Sequence, residues 1–161
     1  MKIYYREKSG GIEILRCFGI EGRVEIPGMI DDKLVISAAP YAFSSHMDEK
    51  EELKNASLWE VSDGLEFGRE GHVLAGNDVE EIVFPYTLKE IGRYIFYGCG
   101  NLKKLEFSDS LMQIGCGAFT GCHALEKLTV HMRQGKKSGV KEMLGEMWQR
   151  IDVNFLYEYE E

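Results

Sequence analysis

The chain has 161 residues, 44% of them hydrophobic and 29% charged, which is typical of one folded globular domain. Asp and Glu total 27 against 19 Lys and Arg, and the net charge of −8 disfavours nucleic acid and anionic membranes as partners. No apolar stretch reaches the roughly 20 residues that span a bilayer, and the start "MKIYYREKSGG" lacks the apolar core of a signal peptide. We therefore expect a cytoplasmic protein.

The N-terminal third predicts a cap followed by an irregular repeat. Residues 2–19, "KIYYREKSGGIEILRCFG", indicate two strands around a Ser-Gly-Gly turn, so we interpret 1–22 as an N-terminal β-hairpin cap. We assign 23–46 to a degenerate repeat and 44–78 to an insertion. Within the insertion we expect a short helix near 48–56 and a hairpin near 59–74.

Residues 79–130 contain a repeat with a period of 23 residues. The segments "VEEIVFPYTLKEIGRYIFYGCGN" and "LKKLEFSDSLMQIGCGAFTGCHA" align without a gap, and "LEKLTV" opens a third copy. The aligned apolar columns are Ile82 and Leu105, Phe84 and Phe107, Leu88 and Leu111, Ile91 and Ile114, Phe96 and Phe119, and Cys99 and Cys122. A period of about 20–29 residues with an L-x-x-L-x-L core predicts a leucine-rich repeat solenoid.

Each copy predicts one short strand and one tight turn. In "LKKLEF", Leu105 and Phe107 alternate with Lys104 and Glu106, as in a strand with one buried face. The glycines of "GCGAFTGC" allow the chain to turn and return Phe119 to the core. We expect short parallel strands joined by turns or 3-10 segments.

The four cysteines raise the question of a metal or redox site. Cys99 and Cys122 share a repeat column, whereas Cys116 stands where the preceding copy has Arg93. This favours two packed, reduced thiols on successive coils; a metal site or a disulfide or redox pair are the alternatives. None of the four histidines has metal-ligand spacing, so we expect no metal or organic cofactor.

The segments "LKEIGRYIFYGCGNLKKLEF" and "LMQIGCGAFTGCHALEKLTV" resemble the BspA-like leucine-rich repeat family, whose repeats carry an IG-x-x-AF-x-x-C-x-x-L signature. The stretch 24–46 resembles its opening unit, with Ala42-Phe43 parallel to Ala118-Phe119, but it is five residues longer and has Ala38-Ala39 in place of Ile-Gly. The resemblance implies a right-handed solenoid, an interaction role and no catalytic residues.

The C-terminal segment 131–161 predicts a helix-plus-strand cap. "GVKEMLGEMWQRI" has apolar residues on one helical face, namely Val140, Met143, Leu144, Met147, Trp148 and Ile151. "DVNFLYEY" then alternates as a strand through Val153, Phe155, Tyr157 and Tyr159. Such a cap would close the open end of a solenoid.

We interpret 1–161 as a single, non-catalytic domain that binds a protein or peptide of unknown identity, and we expect a monomer or a weak homodimer. The expected surface is the exposed strand face, with the rows Glu81–Lys104–Lys127 and Val83–Glu106–Thr129, which Arg23 and Glu25 would extend. The alternative is that these side chains only satisfy one another on a hydrated surface.

Two other functions compete with binding. A structural or assembly protein would self-associate through a cap or an edge strand. A hydrolase would need a site within the 44–78 insertion, where the sequence offers no recognisable acid, base or nucleophile pattern.

Overall fold

The computed structural model describes residues 1–19, 22–44, 52–60, 72–73, 79–145 and 151–158. In these ranges the chain winds into a solenoid with a β-sheet on each side of one core. The strands are β1 (Lys2–Lys8), β2 (Gly11–Gly19), β3 (Arg23–Glu25), β4 (Met29–Ile30), β5 (Lys33–Ala38), β6 (Ser57–Glu60), β7 (His72–Val73), β8 (Glu81–Val83), β9 (Glu90–Ile91), β10 (Lys104–Ser108), β11 (Gln113–Ile114), β12 (Lys127–Met132) and β13 (Asp152–Tyr157).

The front sheet consists of β3, β8, β10, β12 and β13, all parallel, with β13 and β3 at its two ends. Each regular coil contributes one strand, so Lys104 lies opposite Glu81 on one side and Lys127 on the other. The intervening side chains are buried, including Leu105 and Phe107. The solenoid and its period-2 inside-outside alternation are therefore confirmed.

The back sheet has the order β11-β9-β5-β2-β1-β6. Here β2 pairs in parallel with β5 and acts as a preceding coil, whereas β1 returns antiparallel through a turn at Ser9 and Gly10 with φ of 52° and 80°. Both turn residues have positive φ, as a two-residue hairpin of this twist requires. The N-terminal hairpin is thus present and extends the back sheet.

Most of the hairpin expected near 59–74 lies outside the described residues, which include only 59–60 and 72–73 of it. Strand β6 pairs antiparallel with β1, and β7 pairs antiparallel with β2, so the described ends of this segment join the N-terminal hairpin rather than each other. Residues 48–51 of the helix expected near 48–56 lie outside the described residues, and 53–55 form a turn. The local alternation showed strands but not their partners, which tertiary packing selects.

The degenerate repeat forms a coil despite its extra five residues. These residues make the β4–β5 hairpin, whose turn at Asp31 and Asp32 has φ of 52° and 59°. Ala38 then pairs in register with Ile91, and β3 pairs in register with β8. The five extra residues are therefore accommodated without shifting the aligned columns.

Glycine in the Ile-Gly pair permits close contact between coils. A Cβ on Gly92 would lie 2.4 Å from Pro40 N, and one on Gly115 would lie 2.2 Å from Arg93 N. Both distances are below any allowed contact with backbone atoms, so these two coils need glycine where each rests on the coil before it.

A column of phenylalanines runs through the core at the turns. The Phe96 ring lies 5.9 Å from Phe43 and 5.8 Å from Phe119, between centroids. Phe43 and Phe96 are fully buried, but Phe119 is only partly buried. Phe119 packs against the core as predicted, but it stays partly exposed because it belongs to the last regular coil.

The C-terminal cap follows β12 through a 3-10 turn (Gly135–Lys137), helix α1 (Val140–Leu144) and β13. The buried Asp109 carboxylate accepts hydrogen bonds from the backbone N–H of Arg133 (2.9 Å) and Gln134 (2.7 Å), which fixes the departure of the chain from β12. Helix α1 buries Val140 and Leu144. Met147, Trp148 and Tyr159 lie outside the described residues, and β13 closes the front sheet as expected.

None of the helices in the described ranges is long and apolar enough to cross a bilayer.

Candidate functional site: the outer face of the front sheet

The structure places the six predicted surface residues in two rows across the front sheet. Glu81, Lys104 and Lys127 are in register, and so are Val83, Glu106 and Thr129. The rows continue as predicted to Arg23 and Glu25 on β3, and they also reach Asp152 and Asn154 on β13. Each row therefore spans five strands.

The ion pairs in these rows differ from those expected. Glu81 pairs with Arg23 at 3.5 Å rather than with its other neighbour Lys104. Lys104 and Lys127 lie side by side, and neither has an ion-pair or hydrogen-bond partner within the described part of the chain. The rows do not simply neutralise themselves, since two lysines opposite each other on neighbouring strands lack a carboxylate partner among the described residues.

A polar and aromatic cluster adjoins the second row, and sequence reasoning missed it. Buried His131 on β12 contacts the Glu158 carboxylate through Nδ1 and the Glu106 carboxylate through Nε2. The Tyr86 ring lies 5.1 Å from the His131 ring, and the Arg133 guanidinium lies 4.4 Å from the Tyr86 centroid. Extending the outward alternation of β12 two residues past Thr129 would have found His131.

Cys99 and Cys122 occupy equivalent positions on successive coils, as predicted. Cys99 Sγ donates to the Phe43 carbonyl at 3.1 Å, and one coil later Cys122 Sγ donates to the Phe96 carbonyl at 3.3 Å. None of the four cysteines forms a disulfide in the structure, and Cys116 is exposed. Within the described ranges no three His, Cys, Asp or Glu side chains are arranged to hold a metal ion.

Residues 71–139 match the family model described as "BspA type Leucine rich repeat region (6 copies)". Residues 71–139 are therefore a BspA-type leucine-rich repeat region. The resemblance drawn from the Ile-Gly and Ala-Phe columns is thereby confirmed. Such a repeat region typically indicates a repeat protein without catalysis.

Two solved structures align with this chain. A leucine rich cell surface protein from Faecalibacterium prausnitzii aligns with a TM-score of 0.53 at 18% identity, over 82% of this chain and 35% of that one. A leucine rich repeat protein from T. pallidum aligns with a TM-score of 0.34 at 21% identity, over 97% and 80%. The first likeness shows the fold alone, and the chain spans about a third of that protein. No curated protein matches.

A second charged cluster lies on the back sheet, and its charged groups pair with one another. The Glu13 carboxylate, 3% exposed, accepts hydrogen bonds from Arg6 Nη2 (2.7 Å), Lys8 Nζ (3.1 Å) and Ser37 Oγ (3.0 Å). Burial raises the pKa of Glu13, but these three donors outweigh burial and hold it below its usual range. The cluster fastens the hairpin to β5 and leaves no unpaired group for a ligand.

The His131 cluster makes stability depend on pH. Burial lowers the pKa of His131, but the hydrogen bonds to Glu158 and Glu106 outweigh burial and raise it above its ordinary value. A raised folded-state pKa means that the stabilisation is complete below the unfolded value of about 6.5 and is lost as pH rises through the folded pKa. The Tyr86 ring also packs on the His131 ring, and Arg133 packs on Tyr86.

We expect the free energy of unfolding of wild type to exceed that of His131→Gln by most below about pH 6.5, with the difference shrinking as the pH rises above that value. Urea denaturation of both proteins on either side of this pH measures the difference. A difference that stays constant with pH would show that His131 contributes only packing.

Thiol reactivity should follow burial. Burial, with a smaller contribution from Cys99, raises the pKa of Cys122 to about 12, so Cys122 should alkylate slowly at neutral pH. We expect iodoacetamide to label exposed Cys116 first in the folded protein, and all four cysteines after unfolding without reductant. Mass spectrometry of the labelled protein counts them, and fewer than four thiols in the unfolded state would contradict the ladder.

Proposed function

We propose that this chain is a non-catalytic module that binds a polypeptide segment through the outer face of the front sheet. The observation that carries the proposal is the in-register pair of Lys104 and Lys127, neither of which has an ion-pair partner among the described residues. Like charges opposite each other on neighbouring strands destabilise a sheet, and a carboxylate of a partner would relieve this repulsion. The expected partner is therefore a segment with at least one Asp or Glu.

The neighbouring cluster supplies the kind of anchor that binding surfaces use. Tyr86 is 42% exposed, and the exposed Arg133 stacks on it. Tyr and Arg are enriched among residues that dominate binding energy. A partner that reaches from Lys104 across the second row would contact both an ionic and an aromatic feature.

The cluster supports binding better than catalysis. Both nitrogens of His131 are engaged by carboxylates, so neither is available as a general base. No described serine or cysteine donates a hydrogen bond to His131, which leaves the imidazole without a nucleophile to activate. Most of the 44–78 insertion lies outside the described residues, so a hydrolytic site there has no geometry to support it.

The test uses peptides selected by phage display on the full chain, with affinities measured by fluorescence anisotropy. We expect Lys104→Glu/Lys127→Glu to weaken binding by about tenfold or more and to reduce its dependence on salt. The matched control is Lys136→Glu/Lys137→Glu, which changes net charge equally at two exposed lysines of the 3-10 turn. This control should bind like wild type.

Two results would overturn the proposal. Equal losses in both double variants would mean that only net charge matters. Unchanged binding by a folded Lys104→Glu/Lys127→Glu variant would place the binding site elsewhere on the solenoid.

Assembly is the second candidate function, favoured by the edge of the front sheet. Strand β13 is the last strand in the described sheet, and Leu156 and Tyr157 on it are 40% and 57% exposed. Exposed apolar side chains at a sheet edge favour pairing with another chain. Sedimentation velocity distinguishes the two: a mass that does not change with concentration supports the binding module, and a rising mass supports assembly.

A further inference from the structure

Hydrogen bonds between successive coils run in one direction at the turns. The Tyr94 and Phe96 N–H groups donate to the Cys116 and Ala118 carbonyls, both at 3.1 Å, and Gly98 N–H donates to Thr120 at 3.2 Å. The preceding interface repeats this pattern, from Tyr41 to Arg93 and from Phe43 to Ile95. Each coil therefore presents a row of N–H donors that the next coil satisfies with carbonyls.

The last regular coil has the same row at Gly117, Phe119 and Gly121, and within the described part of the chain these N–H groups donate to no acceptor. Residues 116–121 form turns, and the carbonyls that satisfy the two preceding rows also belong to turns, at 93–95 and 116–120. The row therefore suits alternate carbonyls of a segment that turns in the same way.

The side chains of this coil are also those of an interface. Lys89, Glu90 and Arg93 of the preceding coil are replaced here by Met112, Gln113 and Cys116, and residues 111–125 include no Asp, Glu, Lys or Arg. Met112 is 73% exposed, and Ile114, Phe119 and Cys122 are only partly buried. Depletion of charge around aromatic and Met side chains characterises the core of protein interfaces.

We propose that this end face, formed by the donors of Gly117, Phe119 and Gly121 and the side chains around them, binds an uncharged segment of another protein that turns as a coil does. The segment accepts the three hydrogen bonds with alternate carbonyls and places an apolar side chain on Phe119, as the next coil would. This surface is separate from the front-sheet rows, so it is a second binding site beyond the proposed function.

A second copy of this chain fits the end face poorly. Two end faces related by a twofold axis would set donors against donors. In a head-to-tail arrangement the acceptors would come from the first coil, but that end is covered: Ala39 N–H donates to Ile14 of β2, buried Arg16 donates to the Tyr41 carbonyl at 2.8 Å, and Ala42 is fully buried. The occupant is thus a different polypeptide.

Amide hydrogen exchange followed by NMR tests the free protein first. The amides of Tyr94, Phe96 and Gly98 should exchange slowly, and those of Gly117, Phe119 and Gly121 should exchange much faster. Slow exchange of the second set in monomeric protein would show that the end face is already occupied, and would overturn the proposal.

The second step selects peptides without charged residues by phage display on the full chain. A selected peptide should protect the Gly117, Phe119 and Gly121 amides about tenfold or more at saturation. The variant Met112→Lys/Gln113→Glu/Cys116→Arg restores the charged residues that the preceding coil carries at these positions, so the fold should accept it. We expect this variant to lose peptide binding, while Lys104→Glu/Lys127→Glu binds the peptide like wild type.

Three outcomes would overturn the proposal. In the first, no uncharged peptide is selected, or the selected peptides leave the three amides unprotected. In the second, the recharged variant binds as wild type does. In the third, the three amides become protected as the chain dimerises, which would make a second copy the occupant.

Discussion

Replacing Phe96 by alanine is expected to lower the free energy of unfolding by about 3–5 kcal/mol. The Phe96 ring is fully buried and lies between Phe43 and Phe119, with Phe84 at 6.1 Å between centroids. Truncation removes these contacts and leaves a cavity that two backbone-linked coils cannot collapse to fill. Urea denaturation monitored by circular dichroism measures the loss.

Substitutions at two other positions of the solenoid serve as controls for Phe96→Ala. Phe119→Ala removes the same side chain from the same column, but from a partly buried site, so it should cost clearly less than Phe96→Ala. Lys104→Ala on the outer face should change stability by no more than about 0.5 kcal/mol. Equal costs for the two phenylalanines would mean that the last coil is covered as fully as the one before it.

Gly92→Ala is expected to cost about 3 kcal/mol, the upper end of the usual range for overpacking. The added Cβ would lie 2.4 Å from Pro40 N and 2.5 Å from the Ala39 carbonyl carbon, and backbone atoms cannot move aside as a flexible side chain can. The coils must therefore separate, which weakens the neighbouring hydrogen bond from Gly92 N–H to the Ala38 carbonyl.

Gly22→Ala is the matched control, because a Cβ there has no atom within 4 Å. It should leave the denaturation midpoint nearly unchanged, within about 0.5 kcal/mol. If Gly92→Ala were equally harmless, the glycine of the Ile-Gly pair would serve the turn conformation rather than the contact between coils.

The fold could be predicted because a solenoid repeats one local structure along the chain, so one rule describes every coil. The alternation at Leu105 and Phe107 gives the buried face, and the 23-residue period gives the neighbour of every strand. That rule also gave the register of all six surface residues. The period gives no partners for β6 and β7, because the 44–78 insertion that contains them is not part of the repeat.

The binding features were harder to predict because they depend on side-chain geometry. The sequence shows Glu81 between Arg23 and Lys104 but not which cation it pairs with. His131 belongs to no repeat column of ionisable residues, and its partner Glu158 is 27 residues away along the chain. The N–H donors of Gly117 and Gly121 lack an acceptor among the described residues because the regular coils end there. A comparison of aligned columns does not show this, since it treats the last coil as equivalent to the one before it.

The antiparallel return of β1 against β2 gives the molecule a fixed beginning. Strand β2 still has the direction of the coils, but β1 reverses it, so no further coil can stack in register beyond the hairpin. Coils added in evolution on this side of the solenoid must therefore be inserted between existing coils. Duplicating a 23-residue unit at the boundary between Asn101 and Leu102 would lengthen each sheet by one strand, about 4.8 Å, while both ends keep their existing contacts. The number of coils, and with it the length of the two surface rows, can change by gene duplication without redesign of either cap.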